Sequence, residues 1–220
     1  MRRPLLQRLG YVLTAAGLAL LCVAGYRLWG SNLVAARSQA ATVERLERGW
    51  AARDPGGDAV RASRVAPGTE LAVVSIPRLH ELGRPSVFPV VEGDAPAQLD
   101  LGAVGHHPGS ALPGRRGNLV LAGHRNGHGE PFRYLDLLRA GDRVLLSSAA
   151  GNHVYVLDRL LARTEPSDVG VMDPVPAGMG VSAPGAYLTL ITCTPQFSTR
   201  YRMIWWGHLV RSPSTPSPHA

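Results

Sequence analysis

The sequence predicts an all-β domain, a sandwich or a barrel of short strands, behind one N-terminal apolar helix. Three observations lead there. Beyond Gly68 the apolar runs are short and rich in strand-forming residues. Turn formers separate them, among them Pro108-Gly109, Pro113-Gly114, Ala150-Gly151-Asn152 and Pro184-Gly185. With 25 Gly and 18 Pro in 220 residues, the chain favours turns and short strands over long helices.

The predicted strands are LAVVSI (71–76), VFPVVE (87–92), NLVLAGH (118–124), DRVLLSS (142–148), HVYVLDRLLAR (153–163), AYLTLIT (186–192) and RMIWWGHLV (202–210). Strands at this spacing build sandwiches and barrels. Phe132, Leu135 and Leu138 share one helical face, which predicts a turn or two of helix over 131–138. Trp205 and Trp206 point to opposite faces of the last strand, one into the core and one to the surface or a groove.

Ahead of this body, residues 1–10 form a basic segment and 11–30 an apolar one. Residues 11–29 (YVLTAAGLALLCVAGYRLW) make about 28 Å of helix, close to the hydrocarbon thickness of a bilayer. Arg27 can snorkel to the far interface. Arg2, Arg3 and Arg8 precede the run and no acid does, so the N-terminus is expected in the cytoplasm and the rest outside. A cleaved signal peptide fits less well, because the run is long and no small-x-small site follows it. Residues 31–68 read as a stalk, with a short helix over 38–53 from the spacing of Val43, Leu46 and Trp50. From Asp54 the stalk is turn-rich. The body is 69–211, and the Ser/Pro-rich tail 212–220 is expected to fray.

The net charge of +7 raises the question of a nucleic-acid partner. Residues 1–68 hold 10 Arg against 4 acids, while 69–220 hold 13 Arg against 12 acids. The excess lies near the apolar run, and no basic stripe with interleaved aromatics exists, so nucleic-acid binding is not expected. Cys22 lies in the apolar run, where it reads as filler, and Cys193 in the body; no disulfide framework follows from them.

Cys193 lies at the end of the strand LTLITC, and Pro195 stops the ladder just beyond it. The bland reading of such a cysteine is a small buried hydrophobe. His124 also closes a strand, ahead of the loop RNGHGEP. Arg202 opens the next strand after Cys193, so the two are expected at facing ends of adjacent strands. A thiolate nucleophile, an imidazole that moves the amine proton and a guanidinium for the oxyanion suit acyl transfer. With eight His and 23 Arg in the chain, spacing alone leaves this trio only suggestive.

LTLITC with TPQFSTRYR resembles the active-site strand of the sortases, and LAGHRNGHGEPF resembles their histidine segment. Cys-Thr-Pro, the Arg nine residues on, PVVEGD (89–94), GHHPGSALPG (105–114) and Gly117-Asn118 are most similar to the class E sortases. The resemblance runs from Leu71 to Val210. It implies a closed barrel of about eight strands with short helices. It also implies a cysteine transpeptidase that cleaves a Leu-Ala-x-Thr-Gly or Leu-Pro-x-Thr-Gly sorting signal between Thr and Gly. The Thr is then joined to an amine of the cell wall. The implied partners are secreted proteins with C-terminal sorting signals and a peptidoglycan precursor amine. A pilin-polymerising sortase and a non-catalytic peptide-binding domain are the alternatives.

On this resemblance His124, Cys193 and Arg202 are the catalytic residues, with Arg200 the competitor for the arginine role. Thr192, Gly123 and His107 are expected on the substrate side, His107 standing where class E chains commonly carry an aromatic residue. No metal or cofactor is expected. His106 and His107 point to opposite faces of a strand, and no acid or Cys completes a ligand pattern with His124 and His128. His128, Asp136 and Asp142 read as solvated loop residues, and Glu130 is given no role.

Overall fold

The computed structural model describes residues 3–26, 31–51 and 65–210. Helix α1 (Arg3–Gly25) carries the apolar run. Within the described residues that run extends from Tyr11 to Tyr26, about 24 Å of helix, and polar Arg3, Gln7 and Arg8 occupy the first turns. Among the described residues no helix is long and apolar enough to cross a membrane. The transmembrane span expected over 11–30 therefore finds no support in the helix as described; residues 27–30 lie outside the described residues.

Helix α2 (Ser31–Ala51) is longer than the short helix expected over 38–53. It does not stand free. Ala35, Gln39 and Leu46, a helical stripe, are buried against the body. Gln39 Nε2 donates to the Gly102 carbonyl, and Arg45 pairs with Glu70. The segment 52–64, which holds most of the turn-rich stretch, and the tail 211–220 lie outside the described residues.

The body is a closed barrel of eight strands in the order β1-β2-β3-β4-β7-β8-β6-β5. In chain order these are β1 (Glu70–Ser75), β2 (Val87–Glu92), β3 (Val104–His106), β4 (Gly117–Ala122), β5 (Arg143–Ser148), β6 (Gly151–Thr164), β7 (Ala186–Thr194) and β8 (Tyr201–Val210). Short helices α3 (Pro77–Glu81) and α4 (Pro96–Leu99) follow β1 and β2, each with proline in its first turn. Seven strands fall where the sequence puts them, and the eighth is β3. The helix expected over 131–138 is reduced to a 3₁₀ turn at Leu135–Leu137.

Two pairings, β2–β3 and β4–β7, are parallel; the others are antiparallel. Alternating side chains fill the interior: Val74, Val90, Leu119, Leu121, Leu146, Leu157, Leu188, Leu190, Met203 and Trp205 belong to one buried cluster. A second cluster lies on the outside of β7 and β8. There Tyr187, Ile204 and Trp206 are covered by Val171 and Met179 of the β6–β7 connection. Trp205 and Trp206 thus face opposite ways as expected, yet both are buried. The indole of Trp205 donates to Leu135 O at 2.8 Å and that of Trp206 to Val171 O at 3.0 Å. At Gly207 a Cβ would lie 2.4 Å from Val156 O, so only glycine lets β8 approach β6 this closely.

Candidate active site

Strand register assembles the site. In the parallel β4–β7 pair, Ala122 is abreast of Ile191. The ladder continues one step, with Gly123 N–H donating to Ile191 O at 3.1 Å. The Thr192 hydroxyl donates to Gly123 O at 2.8 Å. The next positions in this register are His124 and Cys193, on strands about 4.8 Å apart. Two parallel strands thus deliver an imidazole and a thiol to one rim, although the residues are 69 positions apart.

On the other side of β7, Cys193 is the direct cross-strand partner of Arg202. Alternation sets the face. Thr192 and Met203 turn inward and are buried, whereas Ile191, Ile204 and Trp206 belong to the outer cluster. Cys193 and Arg202 share that outer face. Cys193 is partly exposed, as is His124. The three groups therefore edge one outer surface, where Ile191 is partly exposed while Ile204 and Trp206 are sealed beneath Val171 and Met179.

Arg202 is held by its own turn. Its Nη1 donates to Thr199 O at 2.8 Å and to Tyr201 O at 3.1 Å. A guanidinium has five N–H donors, so those on Nε and Nη2 remain to meet an anion. Arg200 is in the loop instead, exposed, with its guanidinium 5.0 Å from the Tyr201 ring centre.

Residues 74–210 match the family model for the sortase domain. The chain belongs to the sortase family.

Two curated relatives are sortases of Streptomyces coelicolor: SrtE1, 38% identical over 92% of this chain, and SrtE2, 32% identical over 93%. The chain spans 56% of the length of SrtE1 and 81% of that of SrtE2. Among solved structures, sortase E1 of S. coelicolor with a tripeptide in its active site is similar. It is 44% identical, with a TM-score of 0.61 over 67% of this chain and 92% of that one. Sortase E of Streptomyces avermitilis is 38% identical, with a TM-score of 0.59 over 67% of this chain and 91% of that one. The resemblance to class E is thereby established, and sortases as a family are cysteine transpeptidases.

The remaining expected positions of this sortase take distinct places. Thr192 is buried and its hydroxyl is spent on Gly123, so its side chain braces the ladder beneath the thiol. Gly123 is demanded by packing: a Cβ there would lie 2.8 Å from the Phe132 ring. His107 lies beyond β3 with Nδ1 2.7 Å from Asp94 Oδ2, half exposed. Its neighbour His106 is buried between Glu92 at 2.6 Å and Ser110 at 2.9 Å.

Two residues escape sequence reasoning. Arg125, next to His124, is buried; its Nη1 donates to Thr194 Oγ1 at 2.9 Å and its Nη2 lies 3.2 Å from Asp136 Oδ2. It ties the histidine segment to the end of the cysteine strand, and Asp136 is its partner rather than a solvated bystander. Asp100, after α4, sets its Oδ1 2.8 Å from His124 Nε2. The sequence reading finds no acid to join the histidines of this loop; the fold supplies one from 24 residues upstream. His128 is not merely solvated either, since its Nδ1 lies 3.1 Å from Asp100 O. Glu130 accepts from Gly127 N–H at 2.9 Å and pairs with Arg133, which orders the same loop.

Proposed function

We propose that this chain is a class E-type transpeptidase acting on C-terminal sorting signals at the outer face of a membrane. The observation that carries the reading is the pairing of Cys193 with Arg202 across β7–β8, with His124 two residues past the end of β4, the strand parallel to β7. The Cys193 thiolate attacks the carbonyl carbon of the scissile Thr-Gly bond. The oxygen becomes an oxyanion, which the remaining Nε and Nη2 N–H groups of Arg202 stabilise. As the intermediate collapses, His124 gives its proton to the departing Gly nitrogen and a thioacyl-enzyme remains. An incoming amine loses a proton to His124, attacks the thioester and expels the thiolate. The acceptor class is a peptidoglycan precursor amine. The signal is of the Leu-Ala-x-Thr-Gly or Leu-Pro-x-Thr-Gly type.

Attachment to the membrane belongs to the same proposal. Val12, Leu13, Leu18, Leu20, Leu21 and Val23 of α1 are all exposed, an arrangement that water does not favour and lipid does. The arginines ahead of the run favour an N-terminus on the cytoplasmic side. On this reading residues 11–30 are the anchor and 69–211 the catalytic body.

The test is to incubate the purified chain with each signal peptide and a glycine amine. The wild type is expected to give the Thr-amine product and Cys193→Ala none. Product from Cys193→Ala would sink the mechanism. The chain is expected in the membrane fraction after alkaline washing, and removal of residues 1–30 should release it.

A further inference from the structure

Beside His124 two hydrogen-bond acceptors face each other. His128 Nδ1 lies 3.1 Å from the Asp100 carbonyl oxygen. A carbonyl can only accept, so Nδ1 carries the proton and Nε2 of the neutral ring presents a lone pair. That lone pair faces Asp100 Oδ1 at 3.8 Å. With the ring neutral, neither atom can donate to the other, and a cation between them would be ligated by both. The same Oδ1 meets His124 Nε2 at 2.8 Å. One ligating atom from each of the three residues lies within 4.8 Å of the others. A tetrahedral ion with bonds of about 2.1 Å needs ligand atoms about 3.4 Å apart, and the two distances to Oδ1 bracket that separation.

The surroundings hold these groups in place. Residues 127–130 all have positive φ, including the non-glycine His128 at 52° and Glu130 at 49°. L-residues resist that conformation, so the fold must impose it. It turns His128 back toward His124, with ring centres 5.0 Å apart. Behind them, Ala35 and Gln39 of α2 fill the space against Gly102 and Gly129, next to the segments that carry Asp100 and His128.

We propose that Asp100, His124 and His128 bind a single divalent transition-metal ion, of which zinc is the best match, and that the bound ion withdraws His124 from catalysis. Two imidazoles and one carboxylate suit zinc, with water in the fourth position. His124 would bind through Nε2, which now donates to Asp100, and would carry its proton at Nδ1 instead. Held this way it can no longer gain and lose a proton at the reacting atoms. The inhibitory half rests on the proposed transpeptidase activity; the binding half does not.

The test uses the full, untagged chain in detergent, stripped of metal. A Cys193→Ala version, which removes the thiol as a competing ligand, is titrated with zinc by calorimetry and with cobalt by visible absorption. One site is expected. His128→Ala and Asp100→Asn in this background should each weaken it at least about tenfold. No zinc uptake by Cys193→Ala, or undiminished uptake by both double variants, would overturn the site. With Cys193 restored, zinc should inhibit signal-peptide cleavage and a chelator should reverse it. His128→Ala should keep its metal-free rate and tolerate at least about tenfold more zinc. Equal zinc sensitivity of wild type and His128→Ala would make the thiol the target and end the inhibitory claim. A wild type with no cleavage at all would defeat the transpeptidase reading, while the calorimetry would still decide the site.

Discussion

At the rim where β4 and β7 end, ionisable side chains keep one edge in water: His124, Asp100, His128, Cys193 and Arg202 are all at least partly exposed. At the rim where those strands begin, a phenol and part of an imidazole are drawn out of water. The phenol of Tyr155 is buried and accepts from Gly114 N–H at 2.9 Å. Burial pushes its pKa up to about 12, and the Gly114 bond only partly opposes this. The His153 ring is held below its ordinary pKa, first by burial and then by Arg115. One sheet thus carries its candidate catalytic groups against water at one end and, at the other, two groups whose titration burial has shifted. The difference arises from chain direction. Parallel β4 and β7 leave the barrel together at the open rim, so their loops diverge there, whereas Gly114 folds back over His153 at the closed rim.

The largest expected effect breaks the open rim. Arg202→Ala should lower transpeptidation about 10²-fold or more, the loss typical of a missing oxyanion donor. Arg200→Ala should leave it nearly unchanged. The reverse result in the peptide assay would move the arginine role into the loop. Next comes Arg125→Met, which removes charge-assisted bonds to Thr194 and Asp136 and should cost about 1.5–3 kcal/mol in urea unfolding. A neutral outcome would mean the two segments are held by packing alone. At the closed rim, Tyr155→Phe should cost about 1 kcal/mol by losing the Gly114 bond, and leave the transpeptidation rate unaltered.

The smallest effect concerns His153 and pH. Its folded pKa lies below its unfolded one. Above about pH 6.5 the ring is neutral in both states and adds no pH dependence. As the pH falls below that, the unfolded ring takes up a proton that the folded ring refuses, so stability drops. His153→Gln should therefore lose less stability than the wild type between pH 7 and 5, read as a smaller fall in Tm. Identical falls would show that the ring is not locked.

Most of the barrel was legible because its strands are apolar runs bounded by Gly and Pro. β3 was not: it is only Val104–His106, too short for any alternation to show, and it pairs with distant β2 and β4. α2 was read as starting too late, because residues 31–37 (SNLVAAR) show no helical spacing of apolar residues until the barrel supplies a surface for Ala35 and Gln39. At the site, Cys193, His124 and Arg202 could be picked out by strand ends and by resemblance. Asp100 could not, since an acid after a four-residue helix looks like any solvated turn until tertiary folding brings it to His124. Arg125 was hidden for the opposite reason. Burial of an arginine cannot be guessed from a loop sequence, and its partners Thr194 and Asp136 lie on two other segments.

Cys193 and Arg202, the proposed nucleophile and its arginine, sit on the last two described strands, while His124 comes much earlier. A polypeptide still growing from the ribosome therefore has an imidazole but no thiol opposite it. Reactivity arrives only with the final strands, so unfinished copies are chemically silent.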